Sequence, residues 1–433
     1  MGSNFAGNRR DGIAGTPSRT IGGTDWLKFI AALLVIANHT SPLASISSEA
    51  DFLVAGLISR VAVPIFFIGA GFFLFRKFTD DSSANVSAVI RYTNKIVLLY
   101  GLSILIYLPL NVYKGDFKEG VDVVSGLRDI VLDGTFYHLW FFPALWIGIW
   151  LIYFLSRLPS LFWSWTAAIL LYAIGLLGDS YYGFAVGTLH LQPLYDTLYQ
   201  WMDYTRNGFF FAPLPVLMGA VLARRTGAAA GAPRAEDDLT LATPALQPIF
   251  TAQPDDSDSV AAQDAEPGSG AISSQNSRRG TLSSPSGRAA NFRLGAAAIL
   301  ALALLIAEGL WIRSLDLPRH DSMYLFSVPA AFLLFLWSTT WNVRGSKRLR
   351  AWRTWVYILH PLAIVVVRGV AKVINGEKLL IASSPGHYAA VCLLTVVFSA
   401  FAAAGMNRVK KWRRTHEKER GENPSSAPSR RSP

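Results

Sequence analysis

Cysteine is nearly absent. Cys392 is the only one in 433 residues, so neither a disulfide framework nor a cysteine-based metal site can form. It lies inside an apolar run, where a small buried residue is the ordinary reading. Charge is scarce too: only 16% of residues are charged, while 52% are hydrophobic and 12% aromatic. That is more apolar surface than a soluble core of this size needs. No His, Asp or Glu cluster has metal-ligand spacing, so no metal is expected. The first apolar block lacks a small-residue cleavage pattern and is long enough to span a bilayer, so it is expected to stay as the first helix. No internal repeat is evident.

The apolar residues fall in blocks of roughly 18 to 22, the length that crosses a hydrocarbon layer of about 30 Å at about 1.5 Å per residue. The expected spans are Thr24 to Leu43, Phe52 to Phe75, Ile96 to Val112, Leu139 to Leu155, Leu161 to Leu177, Gly208 to Ala223, Leu294 to Ile312, Tyr324 to Trp341, Trp352 to Val370 and Tyr388 to Met406. The fold class that follows is an all-α integral membrane protein, a bundle of about ten transmembrane helices with N and C termini cytoplasmic. Loop charges give the orientation. The connection after span two holds Arg76, Lys77, Arg91 and Lys95, and that after span eight holds Arg344, Lys347, Arg348, Arg350 and Arg353. By contrast, Ser41 to Asp51 has no Lys or Arg, and Asp179 to Asn207 has only Arg206. This alternation is the positive-inside pattern, so the net charge of +11 is read as orientation and no nucleic-acid partner is expected.

Three segments are too poor in apolar surface to offset the entropy of ordering. Residues 1–23, with Arg9, Arg10 and Arg19, are expected to be a disordered cytoplasmic tail. Residues 225–292, rich in Ala, Ser, Pro, Gly, Asp and Gln, are expected to be a disordered cytoplasmic loop interrupting the membrane domain of residues 24–406. Residues 407–433 are expected to be a basic disordered tail.

The strongest chemical signal lies in span one, where Lys28 and His39 are eleven positions apart. At about 100° per residue they return to within roughly 20° of one face, about 16 Å apart along the axis. Lys28 taken alone is a snorkelling anchor near the cytoplasmic end, and His39 taken alone is a polar tie between helices. On one stripe they form a cation followed by a potential general base. Arg60 lies within span two, where an intramembrane guanidinium marks a partner or an anionic ligand. Glu308 and Arg368 are charged candidates near the outer face, each also readable as a boundary residue. In span nine, Pro361 is expected to kink the helix and free a carbonyl, so a structural role for His360 competes with a catalytic one. His138 opens span four on the outer side, either lining a substrate mouth or sitting in an aromatic belt.

These residues resemble the acyltransferase 3 family of bacterial membrane acyltransferases. The likeness rests on five motifs in order: Lys28 with His39; Arg60 to Phe67, which reads Arg-x-x-x-Pro-x-Phe-Phe; His138 to Phe141; Arg206 to Phe210; and Tyr357 to Pro361. It implies transfer of an acyl group from cytoplasmic acyl-CoA, commonly acetyl-CoA, to a hydroxyl of an envelope carbohydrate, by a multi-pass protein of the bacterial inner membrane. The donor is a substrate, and no cofactor is held. By the same resemblance His39 is the essential catalytic residue and Lys28 its basic partner; on physical grounds Lys28, Arg91 and Lys95 at the inner face are expected to attract the donor phosphates, and Arg60 to join the catalytic residues by stabilising a developing oxyanion. His138, Arg206, Glu308 and His360 are the substrate-binding candidates. Many members have Arg where this chain has Lys28, and an Arg-x-x-Arg pair before span three where this chain reads Arg91-Tyr92-Thr93-Asn94-Lys95. Direct transfer and a covalent route through His39 both stay open.

Spans one and nine also resemble the membrane domain of vancomycin-resistance serine racemases, for which the resemblance implies amino-acid translocation. This chain ends in a basic tail where those proteins carry a soluble racemase domain, which favours a stand-alone enzyme. A polysaccharide-precursor transporter is a further class, and a structural scaffold gives no reason to place Lys28, His39 and Arg60 in apolar helices. Acceptor choice is expected in the outer loops Tyr113 to Tyr137 and Asp179 to Asn207, whose Tyr181, Tyr182, Tyr195, Tyr199 and Trp201 either stack on sugars or form an interfacial belt.

Overall fold

The computed structural model describes residues 22–116, 122–228 and 285–421. Among them every regular element is helical. Ten helices overlap the stretches expected to span, with shifted ends: α1 (Gly22–Thr40), α2 (Ser48–Phe75), α3 (Ser82–Lys114), α4 (Phe141–Leu155), α5 (Leu161–Gly178), α6 (Pro213–Ala228), α7 (Pro285–Ser314), α8 (Ser327–Ser338), α9 (Lys347–Val373) and α10 (Ser384–Gly421). Six of them, α2, α3, α5, α7, α9 and α10, are long and apolar enough to cross a membrane by length and composition. The others are shorter or carry charge within their length. At about 1.5 Å per residue, the 12 residues of α8 reach about 18 Å, well short of a full hydrocarbon layer.

Helix ends follow local chemistry. Ser41 takes a left-handed φ of 48° just before Pro42, which stops α1. The Asp81 carboxylate accepts from Ser83 N–H at 2.8 Å to start α3, and Gly115 at φ 88° closes it. The Ser346 hydroxyl accepts from Leu349 N–H at 3.3 Å to start α9. The last helix runs on to Gly421, past Met406 where that span was expected to end, because no proline or glycine interrupts residues 407–420. The remainder of the expected tails and most of the 225–292 loop lie outside the described residues.

Burial sorts the bundle into centre and rim. In α2 and α9, 56% of the most apolar stretch is buried, against 22% in α10 and 33% in α3 and α5. Apolar side chains such as Leu105, Phe162, Leu300 and Phe401 are exposed on rim helices, the arrangement a lipid solvent requires. Helix α1 packs against α2, α8, α9 and α10, so Lys28 and His39 face protein. The tightest contact is between α2 and α6. A Cβ on Gly71 would lie 2.2 Å from the Val216 carbonyl oxygen, and one on Gly219 would lie 2.1 Å from that of Ile68. Reciprocal glycines thus let the two backbones touch, the small-residue packing that joins helices where lipid removes the hydrophobic drive.

The regular helix of α2 is broken twice on the way in. A π-helical turn, Phe52–Leu57, is followed by a 3-10 turn, Ile58–Val61. Such irregular turns redirect side chains, and Arg60 sits in the second. Its Nε donates to the Gly56 carbonyl, in the π-helical turn, at 3.0 Å.

Candidate functional site

Two cavities open into the bundle, and their linings meet at one residue, Tyr357. The first spans about 940 Å³ of space between atoms, open solvent at its mouth included. Its wall carries Lys28, Lys95, Arg350 and Arg353 among apolar and aromatic side chains. Lys28 is buried, and its ammonium lies 3.8 Å from the centre of the Phe73 ring, a cation–π contact. A Cβ on Gly69 would come within 2.7 Å of Lys28 Cε, so the missing side chain makes the groove that seats the lysine. Arg353 donates to Asp25 Oδ1 at 3.0 Å, and Arg350 lies 3.6 Å from Asp25 Oδ2.

The second cavity spans about 570 Å³, open solvent at its mouth included, and is lined by His39, Arg60, Tyr137, His138, Arg206 and Tyr357 with their neighbours. Here three imidazoles converge. The His39 ring stacks on that of His360 with centroids 5.3 Å apart, and His138 meets His360 edge-on at 5.2 Å. Tyr137 packs edge-on against His39 at 4.8 Å.

Pro361 organises this cluster. It has no N–H for the carbonyl of Tyr357 four residues back, and His360 Nδ1 takes that carbonyl instead at 2.8 Å. Facing a carbonyl, Nδ1 must carry the proton, which leaves Nε2 as the acceptor nitrogen; Nε2 is buried with no hydrogen-bond partner. One residue further on, the buried Tyr107 hydroxyl inserts into the helix ladder. It donates to the Ile358 carbonyl at 2.5 Å and accepts from Leu362 N–H at 3.3 Å. The Tyr357 hydroxyl donates to the carbonyl of His138, tying α9 to the start of α4.

Two arginines face the second cavity. Arg60 pairs with Asp321 at 2.9 Å, and Arg206 donates to the Ser322 hydroxyl at 2.7 Å while its guanidinium covers the Tyr204 ring at 4.0 Å. The loop presenting Asp321 and Ser322 is pinned by Asp179, whose Oδ1 accepts from Ser322 and Met323 N–H at 2.7 and 2.8 Å. Burial pushes the Asp179 carboxyl up to about 7, against the lowering pull of those two hydrogen bonds.

The expected site residues divide accordingly. Lys28 and Lys95 line the first cavity, and His39, Arg60, His138 and Arg206 line the second, with His360 stacked behind His39. Arg91 does not join them. It is exposed and absent from the lining of the first cavity, because on α3 the buried face at that level belongs to Lys95 and Ile96. Glu308 also lies elsewhere: its carboxylate accepts from Leu325 and Phe326 N–H at 2.6 and 2.9 Å and from the Tyr181 hydroxyl at 2.8 Å. These are backbone donors of the turn that leads into α8, so Glu308 pins that turn to α7. The loop tyrosines are occupied in the same way. Tyr181 holds Glu308, Tyr195 donates to the Ile174 carbonyl at 2.8 Å, and Tyr199 to that of Gly178.

Three residues that line these cavities do not stand out as site residues in the sequence: Arg350 and Arg353 read as loop charge and Tyr357 as part of a motif. Their spacing held the signal: Arg350, Arg353, Tyr357 and His360 fall within a stripe about 80° wide on α9. That helix packs against α1, which carries Lys28 and His39. Along this pair, one cation on α1 (Lys28) and two near the start of α9 (Arg350 and Arg353) are followed by an imidazole on each helix, His39 at the end of α1 and His360 midway along α9, with Tyr357 between cations and imidazole on α9.

Comparison with known proteins agrees with the motifs. The acyltransferase 3 family, described as an acyltransferase domain, matches residues 21–404. An amino-acid racemase of Enterococcus faecalis is 30% identical over 405 residues, 93% of this chain and 47% of that protein. A serine/alanine racemase of Enterococcus gallinarum is 28% identical over 381 residues, 87% of this chain and 45% of that protein. The chain thus spans slightly less than half the length of these relatives. No solved structure matches it.

Proposed function

This chain belongs to the acyltransferase 3 family, and from that premise we propose that it is a membrane O-acyltransferase. It moves an acyl group, acetyl in the first instance, from cytoplasmic acyl-CoA to a hydroxyl of an envelope carbohydrate. The reading takes ten spans in the bacterial inner membrane with both termini cytoplasmic. The first cavity then opens toward the cytoplasm and the second toward the envelope.

The observation that carries the proposal is the pair of cavities meeting at Tyr357, one lined by four cations and the other bordered by His39. A polyanionic thioester enters a cationic vestibule readily. A neutral sugar hydroxyl needs a base; His39 and His138 both line the second cavity, and we assign the role to His39, which shares α1 with Lys28. In the step proposed, His39 takes the hydroxyl proton as the oxygen attacks the thioester carbonyl carbon. Arg60 stands beside His39 to stabilise the developing oxyanion. The C–S bond breaks, the ester remains on the sugar, and the CoA sulfur leaves with the proton returned from His39. Tyr357, flanked by Phe66 and Phe141 at ring distances of 6.3 and 5.0 Å, is the wall the thioester end must reach.

A second reading draws on the relatives' names. If the matched half serves an amino-acid substrate, Arg60 and Arg206 would receive its carboxylate and the chain would be a translocator. Radiolabelled acetyl-CoA supplied to membranes separates the two. Label is expected in the envelope glycan fraction with the wild type and not with His39→Ala. Equal labelling by both proteins would end the acyltransferase reading, and uptake of labelled serine or alanine by proteoliposomes would support the translocator.

A further inference from the structure

Positive-inside topology accounts for basic residues anywhere in a cytoplasmic loop, and it is satisfied by residues in water. Arg344, Lys347 and Arg348 are exposed and need no other explanation. Arg350 and Arg353 differ, since their side chains are only 11% and 16% exposed and both line the first cavity. They also stand in the first two turns of α9, where no acidic residue is present. A helix N-terminus favours anions and disfavours cations, so local stability argues against two guanidiniums there. Asp25 meets both of them, yet one carboxylate cannot match two guanidiniums, and Arg350 Nε is buried without a hydrogen-bond partner. With Lys28 and Lys95 the cavity wall carries four cations, and Asp25 is not among the residues that line it.

We propose that Arg350 and Arg353 form the phosphate-binding site for the acyl donor, with Asp25 as a positioning residue that holds the two guanidiniums ready. The inference rests on the acyltransferase reading and names where that donor is gripped. Arg353 stands one turn before Tyr357 on the same stripe of α9. A donor held by its phosphates at this end would therefore point its acyl end along α9 toward the wall between the cavities. Arg91, exposed on α3, takes no part.

The test is equilibrium binding to the purified full-length protein in nanodiscs of neutral lipid, which keeps anionic headgroups from competing. Probes are CoA, which carries phosphates, and pantetheine, which has none. Arg350→Gln and Arg353→Gln are each expected to weaken CoA about tenfold or more, the loss of a charge-assisted contact, and to leave pantetheine binding unchanged. Arg91→Gln is expected to leave both unchanged. Asp25→Asn separates binding from mere folding: it frees both guanidiniums, so CoA affinity should hold or rise a few-fold.

Wild-type affinity for CoA in Arg350→Gln and Arg353→Gln would overturn the site while leaving the acyltransferase reading intact. Equal loss of CoA and pantetheine, or loss of CoA by Asp25→Asn matching that of Arg353→Gln, would show a structural clamp and also overturn it. A wild-type protein that fails to bind CoA at all would bring down both.

Discussion

Gly69→Ala is a small change with a calculable effect on the donor side. The new Cβ would stand 2.7 Å from Lys28 Cε and 3.1 Å from Nζ. Ordinary contact begins near 3.4 Å, so the end of the lysine must move by about 0.7 Å (3.4 − 2.7). Lys28 is a flexible chain, so the fold absorbs the change, but the ammonium leaves its seat 3.8 Å from the Phe73 ring. A partly desolvated cation–π contact contributes about 0.5–2 kcal/mol, which corresponds to roughly 2- to 30-fold in affinity. The KM for acetyl-CoA should rise within that range, while the melting temperature of detergent-solubilised protein stays near that of wild type. Gly71→Ala, one turn-half further, is the control. There the obstacle is the Val216 carbonyl at 2.2 Å, which cannot move without parting α2 from α6, so expression or melting temperature should fall sharply. If Gly69→Ala leaves donor KM unchanged, Lys28 does not act from this seat, and the role given to the first cavity loses its main lysine.

Three further outcomes follow from the same geometry. Glu308→Ala should lower the melting temperature without changing donor KM, because it strands two backbone N–H groups at about 1–3 kcal/mol each; a donor KM change would return Glu308 to the site. Burial raises Asp179 to about 7, so the folded protein holds this proton more tightly than the unfolded chain, whose carboxyl titrates near about 3.9. Its contribution to stability is therefore full below about pH 4 and lost as pH rises through about 7, and a thermal-melting series should show a fall across that window that Asp179→Asn flattens. Tyr357→Phe removes the hydroxyl's bond to the His138 carbonyl and should cost about 0.5–1.5 kcal/mol. Tyr357→Ala opens the wall, and acetyl-CoA hydrolysis without acceptor should increase; unchanged hydrolysis would mean that Tyr357 does not separate the cavities.

Much of this molecule can be read from the chain because lipid imposes one strong rule. Backbone polar groups must pair within the segment, so long apolar runs become helices and their positions are legible from hydropathy. The same rule hides the interior, since hydropathy says how long a helix is and not which neighbour it meets. Lys28 and His39 could be placed on one face by counting alone. Their partners on α9 could not, because the contact between α1 and α9 spans more than three hundred residues of chain. Arg350 and Arg353 fit the charge alternation expected of a positive-inside loop and also line a cavity, and loop charge alone does not separate the two roles. Arg91 and Glu308 show the converse, since a charge near a membrane boundary was legible while the side it faced was not. At Pro361 the freed carbonyl is legible, since the missing N–H leaves the Tyr357 carbonyl to His360 Nδ1, while α9 continues through the proline as one helix.

The central claim is that one bundle takes an acyl group at its cationic end and delivers it at its imidazole end. The most direct measurement uses proteoliposomes with protein of fixed orientation and radiolabelled acetyl-CoA supplied to one face at a time, with a carbohydrate acceptor on the other. Transfer is expected only when the donor is on the face bearing Arg350 and Arg353, and not with His39→Ala. Equal transfer from either face, or transfer that survives His39→Ala, would contradict the account.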